Sequence, residues 1–516
     1  MRHRASRRLF FSLVWGSVLI FGVSVRLLGV SELPSEQFTE ADAYLYYAHA
    51  REISVSGRLP ERDMRRWLPE GRDGRQSLSL YAYAIAYTHK AVSVLRPSVS
   101  VYSVAVYLPV VCFLIGVGSL CVFLSGWKGH GTSIAVGLLL VSLPGSIERS
   151  AAGFGDRDAW CLMIGLLSGV TYLSSVLTAQ RRRRLLWRLL SGFCVFLGGL
   201  SWEGFGVFVW ALLLIEVWRF LTTETEEGFG LYVLWVLCFV PSLYLASEAY
   251  RSGEGWSTHL FGFLLVPPVC LGVLRGLRYL LQTGLVSDRL RRHPRGVALG
   301  LTLAGVSLGF GYVLTHFGSF GATTVALSQS ALMQSIGELE TPHVGYWHYR
   351  WGSLVVLGSL GFVGLYALGV WRSKGRGGKV RGLLMALLLL GVALFPVSVF
   401  LQVPLNSVWG AEGSRVVFFV SLACCLFAFL WIACRFPKNP CLSTLAPYLA
   451  FGGGWSFGCP LPEMPNATIS SSVQGSPSLG LSLSRRSPGS VVSGFMGVCM
   501  SAIRFENGYR CDTYIM

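Results

Sequence analysis

Charged residues are scarce in this chain of 516 residues. They make up 13% of the sequence, and only 26 residues are acidic, whereas charged residues make up about a quarter of a soluble domain. Hydrophobic residues account for 53% and the mean hydropathy is +0.55. The apolar residues form long runs rather than amphipathic stripes. This composition excludes a soluble globular protein and indicates a polytopic membrane protein.

Two further absences narrow the functional class. The net charge is +17, but Lys and Arg lie in short patches between apolar runs, so no nucleic-acid partner is expected. No two of the 13 cysteines are separated by two residues, and most lie inside apolar runs, where a thiol behaves as a small hydrophobic group. The sequence therefore predicts neither a zinc finger nor a disulfide framework.

The apolar runs predict about twelve membrane spans. A span needs about 20 mostly apolar residues to cross roughly 30 Å of hydrocarbon. Runs of this kind start near residues 9, 101, 132, 159, 187, 205, 229, 257, 297, 352, 382 and 415. Trp202, Glu203 and Gly204 interrupt one stretch that is too long for a single span, and we place a tight turn there. The predicted fold class is all-α, a polytopic transmembrane helical bundle.

Basic residues predict the orientation of this bundle. The first run follows four arginines within residues 2–8 and has no small-residue cleavage site before Ser31, so it is expected to stay as an anchor with its N-terminus in the cytoplasm. Every second loop is then basic; these loops carry Lys128, Arg181 to Arg184, Arg219, Arg275, Arg278 and Arg372 to Arg381. The principal outer loops are residues 31–98, 148–158 and 316–351, and the first should contain short amphipathic helices.

We divide the chain into two parts. Residues 1–435 form the predicted transmembrane catalytic core, embedded in the lipid bilayer. Residues 436–516 are rich in Ser, Gly and Pro and are expected to be disordered or a degenerate remnant.

The outer loops contain four acidic residues of interest. Asp42, Asp156 and Asp158 lie next to predicted spans, and Glu338 lies in the loop 316–351. Carboxylates gathered from separate loops suit Mg²⁺ or Mn²⁺, which prefer hard oxygen ligands. Such an ion would neutralise a diphosphate leaving group. The alternative is that each is a solvated surface charge.

Two arginines lie at the same predicted level as these carboxylates. Arg149 precedes Asp156 by seven residues and Arg415 begins the last span. A planar guanidinium suits phosphate, because it bonds two oxygens at once, although Arg415 could also simply snorkel from a helix end. Glu203 is interpreted as an interfacial residue rather than a site residue, and His343 and His348 as solvated rather than metal-bound.

The segments around these residues resemble motifs of the catalytic subunit of oligosaccharyltransferase, including its single-subunit bacterial and archaeal forms. Residues 42–51 (DAYLYYAHAR) resemble the first acidic motif, and residues 149–158 (RSAAGFGDRD) the second. Residues 335–338 (SIGE) resemble the Thr-Ile-x-Glu motif, and Arg415 takes the place of the phosphate-binding arginine.

This resemblance covers residues 9–435 and implies the C-type membrane glycosyltransferase fold. It implies a glycosyltransferase that moves a glycan from a polyprenyl diphosphate donor to asparagine of an acceptor polypeptide on the extracytoplasmic face. Asp42, Asp156 and Glu338 would then be catalytic and ligate Mg²⁺ or Mn²⁺, with Asp158 in support. Arg415 and Arg149 would hold the diphosphate. The membrane would be the inner cell membrane, or that of the endoplasmic reticulum in a eukaryote.

One motif of the family is missing. Its members carry Trp-Trp-Asp-Tyr-Gly in a C-terminal domain that reads the acceptor sequence, and nothing here matches it. Two other classes therefore stay open. One is a C-type glycosyltransferase that uses a polyprenyl phosphate sugar to modify a lipid or a Ser/Thr hydroxyl. The other is a transporter or flippase, which would carry ionisable residues near the bilayer midplane.

Overall fold

The computed structural model describes residues 2–66, 68–226, 228–251, 261–282, 293–305 and 307–308. Their helices are, in chain order, α1 (Arg2–Arg26), α2 (Asp42–Ser56), α3 (Leu80–Leu95), α4 (Val101–Trp127), α5 (His130–Ser142), α6 (Pro144–Glu148), α7 (Asp158–Leu177), α8 (Arg181–Gly199), α9 (Gly206–Thr222), α10 (Phe229–Ala246) and α11 (Val266–Gln282). Two short strands, β1 (Arg62–Asp63) and β2 (Arg72–Asp73), pair antiparallel. Residues 294–305 are also helical.

Among the described residues, six segments are long and apolar enough to cross a membrane. The chain is therefore a multi-pass helical membrane protein. The six segments are Phe11–Glu32, Val101–Trp127, Asp158–Leu177, Glu203–Thr222, Phe229–Ala246 and Gly262–Leu281. These confirm the predicted spans near 9, 101, 159, 205, 229 and 257. The predicted spans from 352 onward, the loop 316–351 and the boundary at 435 lie outside the described residues.

Two predicted spans take a different form. The run near 132 gives α5, which has only 13 residues, because Leu143 adopts extended backbone before Pro144 and a separate short helix begins there. The run near 187 gives α8, whose first turn consists of four arginines. Its remaining apolar part is shorter than the roughly 20 residues of a full span.

The first outer loop is built as the sequence predicts, from short helices. α2 and α3 pack together through buried side chains, with Tyr46 and Tyr81 edge to face at 5.3 Å between ring centroids. The hairpin of β1 and β2 is held to α2 by His49, whose Nε2 lies 3.3 Å from Asp63 Oδ2.

The core lies where α4, α7, α8 and α10 meet. The fully buried Trp235 of α10 packs edge to face on Tyr172 of α7 at 5.1 Å between ring centroids and donates from its indole N–H to Ser191 Oγ of α8 at 3.1 Å. Small residues bring the helices close together, as lateral packing in a membrane favours. At Gly116 of α4, for example, a Cβ would lie 2.9 Å from Met163 Cα of α7.

Candidate functional site

The loop between α6 and α7, which contains residues 149–157, is fixed by backbone hydrogen bonds to three earlier segments. Ala152 N donates to Arg26 O at 2.8 Å, and Gly153 N donates to Val106 O at 3.0 Å. Gly153 O in turn accepts from Thr39 N at 3.0 Å. The last bond joins the loop that carries Asp156 to the residues that lead into Asp42, the first residue of α2.

Two glycines make this contact possible. Gly155 has φ +64°, and a Cβ there would lie 2.7 Å from Phe38 Cδ1 and 2.8 Å from Ala43 Cβ. Gly153 has φ +90°, and its Cβ would lie 2.3 Å from Leu33 Cδ1. Only glycine combines positive φ with so close an approach. The two glycines of the motif GFGDRD therefore allow the loop 149–157 to pack directly against residues 33–43.

Arg26, at the end of α1, is hydrogen-bonded to the start of the same loop. It is fully buried and donates to Ser150 Oγ at 2.7 Å, to Ser146 Oγ at 3.1 Å and to Val141 O at 3.1 Å. Its guanidinium carbon lies 3.5 Å from the centroid of the Phe113 ring. Sequence analysis missed this residue, and the available signal was an arginine at the end of an otherwise apolar first span.

Asp156 is the most perturbed carboxylate of the two loops. Its exposed fraction is 7%, and Oδ1 accepts from Arg157 N at 2.6 Å. Burial, followed by the negative charge of Asp158 and more weakly that of Asp42, raises the pKa of Asp156 from 3.8 to about 7, against the opposing effect of Arg157. Asp42 and Asp156 thus interact electrostatically, as expected for residues predicted to share one site.

Asp158 and Arg149 are brought together with each other. Asp158 is the first residue of α7, and its Oδ2 accepts from Arg149 Nη1 at 3.1 Å. Both side chains are 36% exposed. Arg149 is therefore held beside Asp158 by an ion pair while one edge of its guanidinium stays accessible.

Glu203 is joined to this candidate site by an ion pair with Arg157, a contact that the interpretation of Glu203 as an interfacial residue did not include. Its two carboxylate oxygens accept from Arg157 Nη1 at 2.9 Å and from Arg157 Nη2 at 3.1 Å. This bidentate pair connects the turn before α9 to the residue between Asp156 and Asp158. The carboxylate was visible in the sequence, but its partner lies 46 residues away.

The donor set for a metal ion is partial in the part of the chain that the structure describes. No group of three or more His, Cys, Asp or Glu side chains among those residues is arranged to hold a metal ion. Asp42 and Asp156 provide hard oxygen donors on adjoining segments, and burial together with the charge of Asp158 raises the pKa of Asp156. Glu338, Arg415, His343 and His348 lie outside the described residues.

A groove of about 760 Å³ runs along one side of α2. It starts at Tyr44, half a turn after Asp42, and continues past Tyr47 and Arg51 to Glu52 and Arg65. Arg51 lies over the Tyr47 ring at 5.7 Å from its centroid, and Arg65 Nη2 lies 3.0 Å from Glu52 Oε2. Aromatic faces flanked by paired charges offer both stacking and hydrogen bonding to a polar ligand.

Residues 34–275 match the family model of oligosaccharyl transferase STT3, N-terminal. The match covers slightly less than half of the chain and shows that this part, the STT3 region, is similar to the N-terminal region of that family. The STT3 region contains four of the predicted site residues, namely Asp42, Arg149, Asp156 and Asp158. No curated protein sequence matches the chain.

The fold of the chain is similar to that of a solved archaeal protein. The oligosaccharyltransferase AglB from Archaeoglobus fulgidus, in complex with an inhibitory peptide and a dolichol-phosphate, aligns with a TM-score of 0.52 at 15% identity, over 87% of this chain. The apo form of that oligosaccharyltransferase aligns with a TM-score of 0.52 at 13% identity, over 86%. The chain spans 56% of the length of that protein. The similarity shows that the two proteins share a polytopic helical fold.

Proposed function

We propose that this protein is a membrane glycosyltransferase that transfers a glycan from a polyprenyl diphosphate donor to asparagine of an acceptor polypeptide. The proposal is supported by the contact between the loop 149–157 and the segment that leads into α2, through which Asp156 is near enough to Asp42 for their charges to interact, in a region similar to STT3. The archaeal AglB structure with a peptide and a dolichol-phosphate is consistent with both substrates.

We propose that Asp42 and Asp156, together with Glu338, hold Mg²⁺ or Mn²⁺. Hard oxygen donors and a buried carboxylate whose pKa is raised fit such an ion. When bound, it would supply positive charge to the diphosphate leaving group. Asp42 and Glu338 would also orient the acceptor amide, whose nitrogen attacks the first sugar carbon.

The donor diphosphate would be held by Arg415 and Arg149. Arg149 suits this role because its guanidinium is partly exposed and oriented by Asp158, so less rotamer entropy is lost on binding. Arg157, tied to Glu203 in a bidentate pair, would position the backbone amide that it donates to Asp156. The groove beside Asp42 would accommodate sugars of the donor.

We propose that the site faces away from the cytoplasm, in the inner cell membrane or the endoplasmic reticulum membrane. The exposed Ser35 lies on the side of Asp42, and the exposed Arg182 lies in the basic first turn of α8. Cysteine at Ser35 should react with an impermeant thiol reagent added outside sealed cells, and cysteine at Arg182 should not. The unsubstituted chain provides the background, and the reverse pattern would refute the orientation.

The direct test is an activity assay. Purified protein is incubated with a lipid-diphosphate glycan, Mn²⁺ and an Asn-x-Thr peptide, and the glycopeptide is detected by mass. Asp42→Ala and omission of the divalent ion should each abolish product. Undiminished turnover in EDTA would refute the metal proposal alone, whereas donor consumption without glycopeptide would refute the acceptor.

We also propose that residues 1–435 are the catalytic core. All the predicted donor-binding residues precede Phe436, so deletion of residues 436–516 should leave donor affinity unchanged, while Arg415→Ala should lower it. Loss of peptide transfer on this deletion, with donor affinity intact, would instead assign acceptor recognition to the tail.

A second candidate is a C-type glycosyltransferase that takes a polyprenyl phosphate sugar and modifies a lipid or a Ser/Thr hydroxyl. It stays open because the described residues Asp42, Arg149, Asp156 and Asp158 do not by themselves distinguish the two donors. Presenting both donors to the same preparation distinguishes the two, because the products differ in mass by the size of the transferred glycan.

A further inference from the structure

Arg26 is a buried arginine inside a membrane-spanning segment. It lies within the span Phe11–Glu32 and its exposed fraction is 0%. An ionisable side chain inside a span is costly and usually serves a function. The proposed function gives roles to Asp42, Asp156 and Arg149 but none to Arg26, whose role must be sought in the groups that it contacts.

The guanidinium of Arg26 donates in three directions. Nε donates to Ser150 Oγ at 2.7 Å, and Nη2 donates to Ser146 Oγ at 3.1 Å. Nη1 donates to Gly22 O and to Val141 O, each at 3.1 Å. All four acceptors are neutral, so these contacts fix the geometry of the chain rather than pair opposite charges.

The two serines lie on either side of Arg149 and form one turn with it. Ser150 Oγ donates to Ser146 O, and Arg149 N donates to Gly145 O at 3.4 Å. Because Arg26 donates to both serine hydroxyls, both ends of this turn are attached to one rigid, planar group.

The side chain of Arg149 leaves this turn towards the second acidic motif. Its Nη1 lies 3.1 Å from Asp158 Oδ2, and its guanidinium carbon lies 5.4 Å from the centroid of the Phe154 ring. These two groups set the direction of the side chain, whereas the turn sets the position from which it starts. A displacement of about 1 Å in a group that binds substrate can forfeit much of the benefit of orientation.

We propose that Arg26 is a positioning residue for Arg149, which it presents to the diphosphate of the donor by fixing the turn 146–150. This inference rests on the proposed function, in which Arg149 binds the diphosphate. The role needs an arginine, because lysine has its donors on one nitrogen and cannot reach both serines and both carbonyls together. The main-chain carbonyl of Arg26, which accepts from Ala152 N, is not altered by a change of side chain.

The test is the kinetics of Arg26→Lys, which keeps the buried charge but removes the planar fork. With the full chain, Mn²⁺ and an Asn-x-Thr peptide, the KM for the lipid-diphosphate glycan should rise about tenfold, while kcat and the KM for the peptide change less than about twofold. A purely structural role would lower the fraction of active protein, which reduces kcat and leaves the donor KM unchanged. That result would overturn the proposal.

Arg188→Lys is the matched control. Arg188 is also buried, with an exposed fraction of 2%, and its guanidinium carbon lies 3.8 Å from the centroid of the Tyr172 ring, as that of Arg26 lies 3.5 Å from the centroid of the Phe113 ring. The control should leave the donor KM unchanged even if it destabilises the chain to the same extent. An equal rise of the donor KM in both variants would mean general destabilisation and would overturn the positioning role.

Ser150→Ala removes the same contact from the other side and keeps the arginine, so it serves if Arg26→Lys fails to fold. It should also raise the donor KM. In an Arg149→Gln background, either substitution should change the donor KM by less than about twofold, because the group that is positioned is absent. Additive effects would show that Arg26 does not act through Arg149.

Hydrogen exchange separates this inference from the proposed function. In Arg26→Lys, the backbone amides of residues 146–153 should exchange faster than in the unsubstituted chain, whereas Arg188→Lys should leave their exchange unchanged. An unsubstituted chain that neither binds the donor nor transfers glycan would refute the proposed function, and unchanged exchange in that chain would also refute the fixing of the turn. An active chain in which Arg26→Lys changes neither the donor KM nor the exchange would refute this inference alone.

Discussion

The two ends of the bundle carry charge clusters of opposite sign. At one end, which the basic loops predict to be the outer end, the carboxylates are those of Asp42, Asp156, Asp158 and Glu203, and the guanidinium groups are those of Arg149 and Arg157. At the other end lies a group of charges that we call the arginine cluster; it consists of Arg188, Arg219, Arg275 and Arg278 with Glu216 and Glu226. Among these described residues, carboxylates outnumber guanidinium groups in the first cluster, and the reverse holds in the second.

The two clusters differ in exposure as well as in sign. The outer ion pairs are between 19% and 36% exposed, whereas all members of the arginine cluster except Arg219 are nearly inaccessible. Solvent therefore screens the ion pairs of the outer end, whereas it screens those of the arginine cluster much less.

The largest expected effect comes from neutralising the outer cluster. Asp156→Asn keeps the shape of the side chain but removes its charge, so glycan transfer should fall by roughly two orders of magnitude or more, since a metal ligand and its electrostatic stabilisation are lost together. The measurement is the initial rate of glycopeptide formation. Glu248→Gln, which removes only the exposed pair with Arg75, should change the rate little. Equal loss in both would remove the distinction between site and surface.

The next effect comes from the arginine cluster. Glu216→Gln leaves Arg188, Arg219 and Arg275 without their shared partner, and should lower the free energy of unfolding by about 3–5 kcal/mol, measured by titration with SDS in mixed micelles. Glu224→Gln is the control, because this carboxylate is 66% exposed beside Arg295 and its loss should cost about 1 kcal/mol or less. A small effect of Glu216→Gln would mean that the arginines do not rely on it.

A smaller effect is expected at the bidentate pair of the outer end. Glu203→Gln removes one charge from its pair with Arg157, which is only partly buried, and should lower the unfolding free energy by about 1 kcal/mol. Glu203→Asp, which retains the charge on a shorter side chain, should restore part of the loss. A cost as large as that of Glu216→Gln would show that the two ends do not differ as their exposure indicates.

A further expected effect is a pH dependence. Because the pKa of Asp156 is raised from 3.8 to about 7, the folded chain binds a proton more tightly than the unfolded chain between these values. In EDTA, the contribution of Asp156 to stability is therefore full below about pH 4 and is lost as the pH rises towards 7. The unfolding midpoint of Asp156→Asn minus that of the unsubstituted chain should accordingly increase over this interval. A constant difference would contradict the raised pKa.

Much of the outer end was predictable from the sequence. Alternating basic loops put Asp42, Asp156 and Asp158 on one side, and the apolar runs located six spans that the structure confirms. These features depend on composition over about 20 residues. They require no knowledge of which helix packs on which.

The pairing of charges was not predictable in the same way. Arg149 pairs with Asp158 and Arg157 with Glu203, although both arginines are near Asp156 in the sequence. Ser150, a partner of Arg26, lies 124 residues away. Arg275 and Arg278 were assigned to a basic loop, yet they lie in α11 and are buried. A signal for this was present in Glu216, a single carboxylate inside an apolar run, since an ionisable residue in a span usually has a partner. Its partners depend on tertiary packing.

The hydrogen bond from Thr39 to Gly153 has a consequence for biogenesis. It closes a loop of more than a hundred residues, and α4 must be in place first, because Gly153 N also donates to Val106. During synthesis from the N-terminus, Asp42 would therefore leave the translocation machinery with its neighbours unassembled and acquire its final surroundings only when the loop before α7 arrives. In the proposed orientation, chaperones of the extracytoplasmic side would meet the first outer loop in that interval as a solvated polar segment.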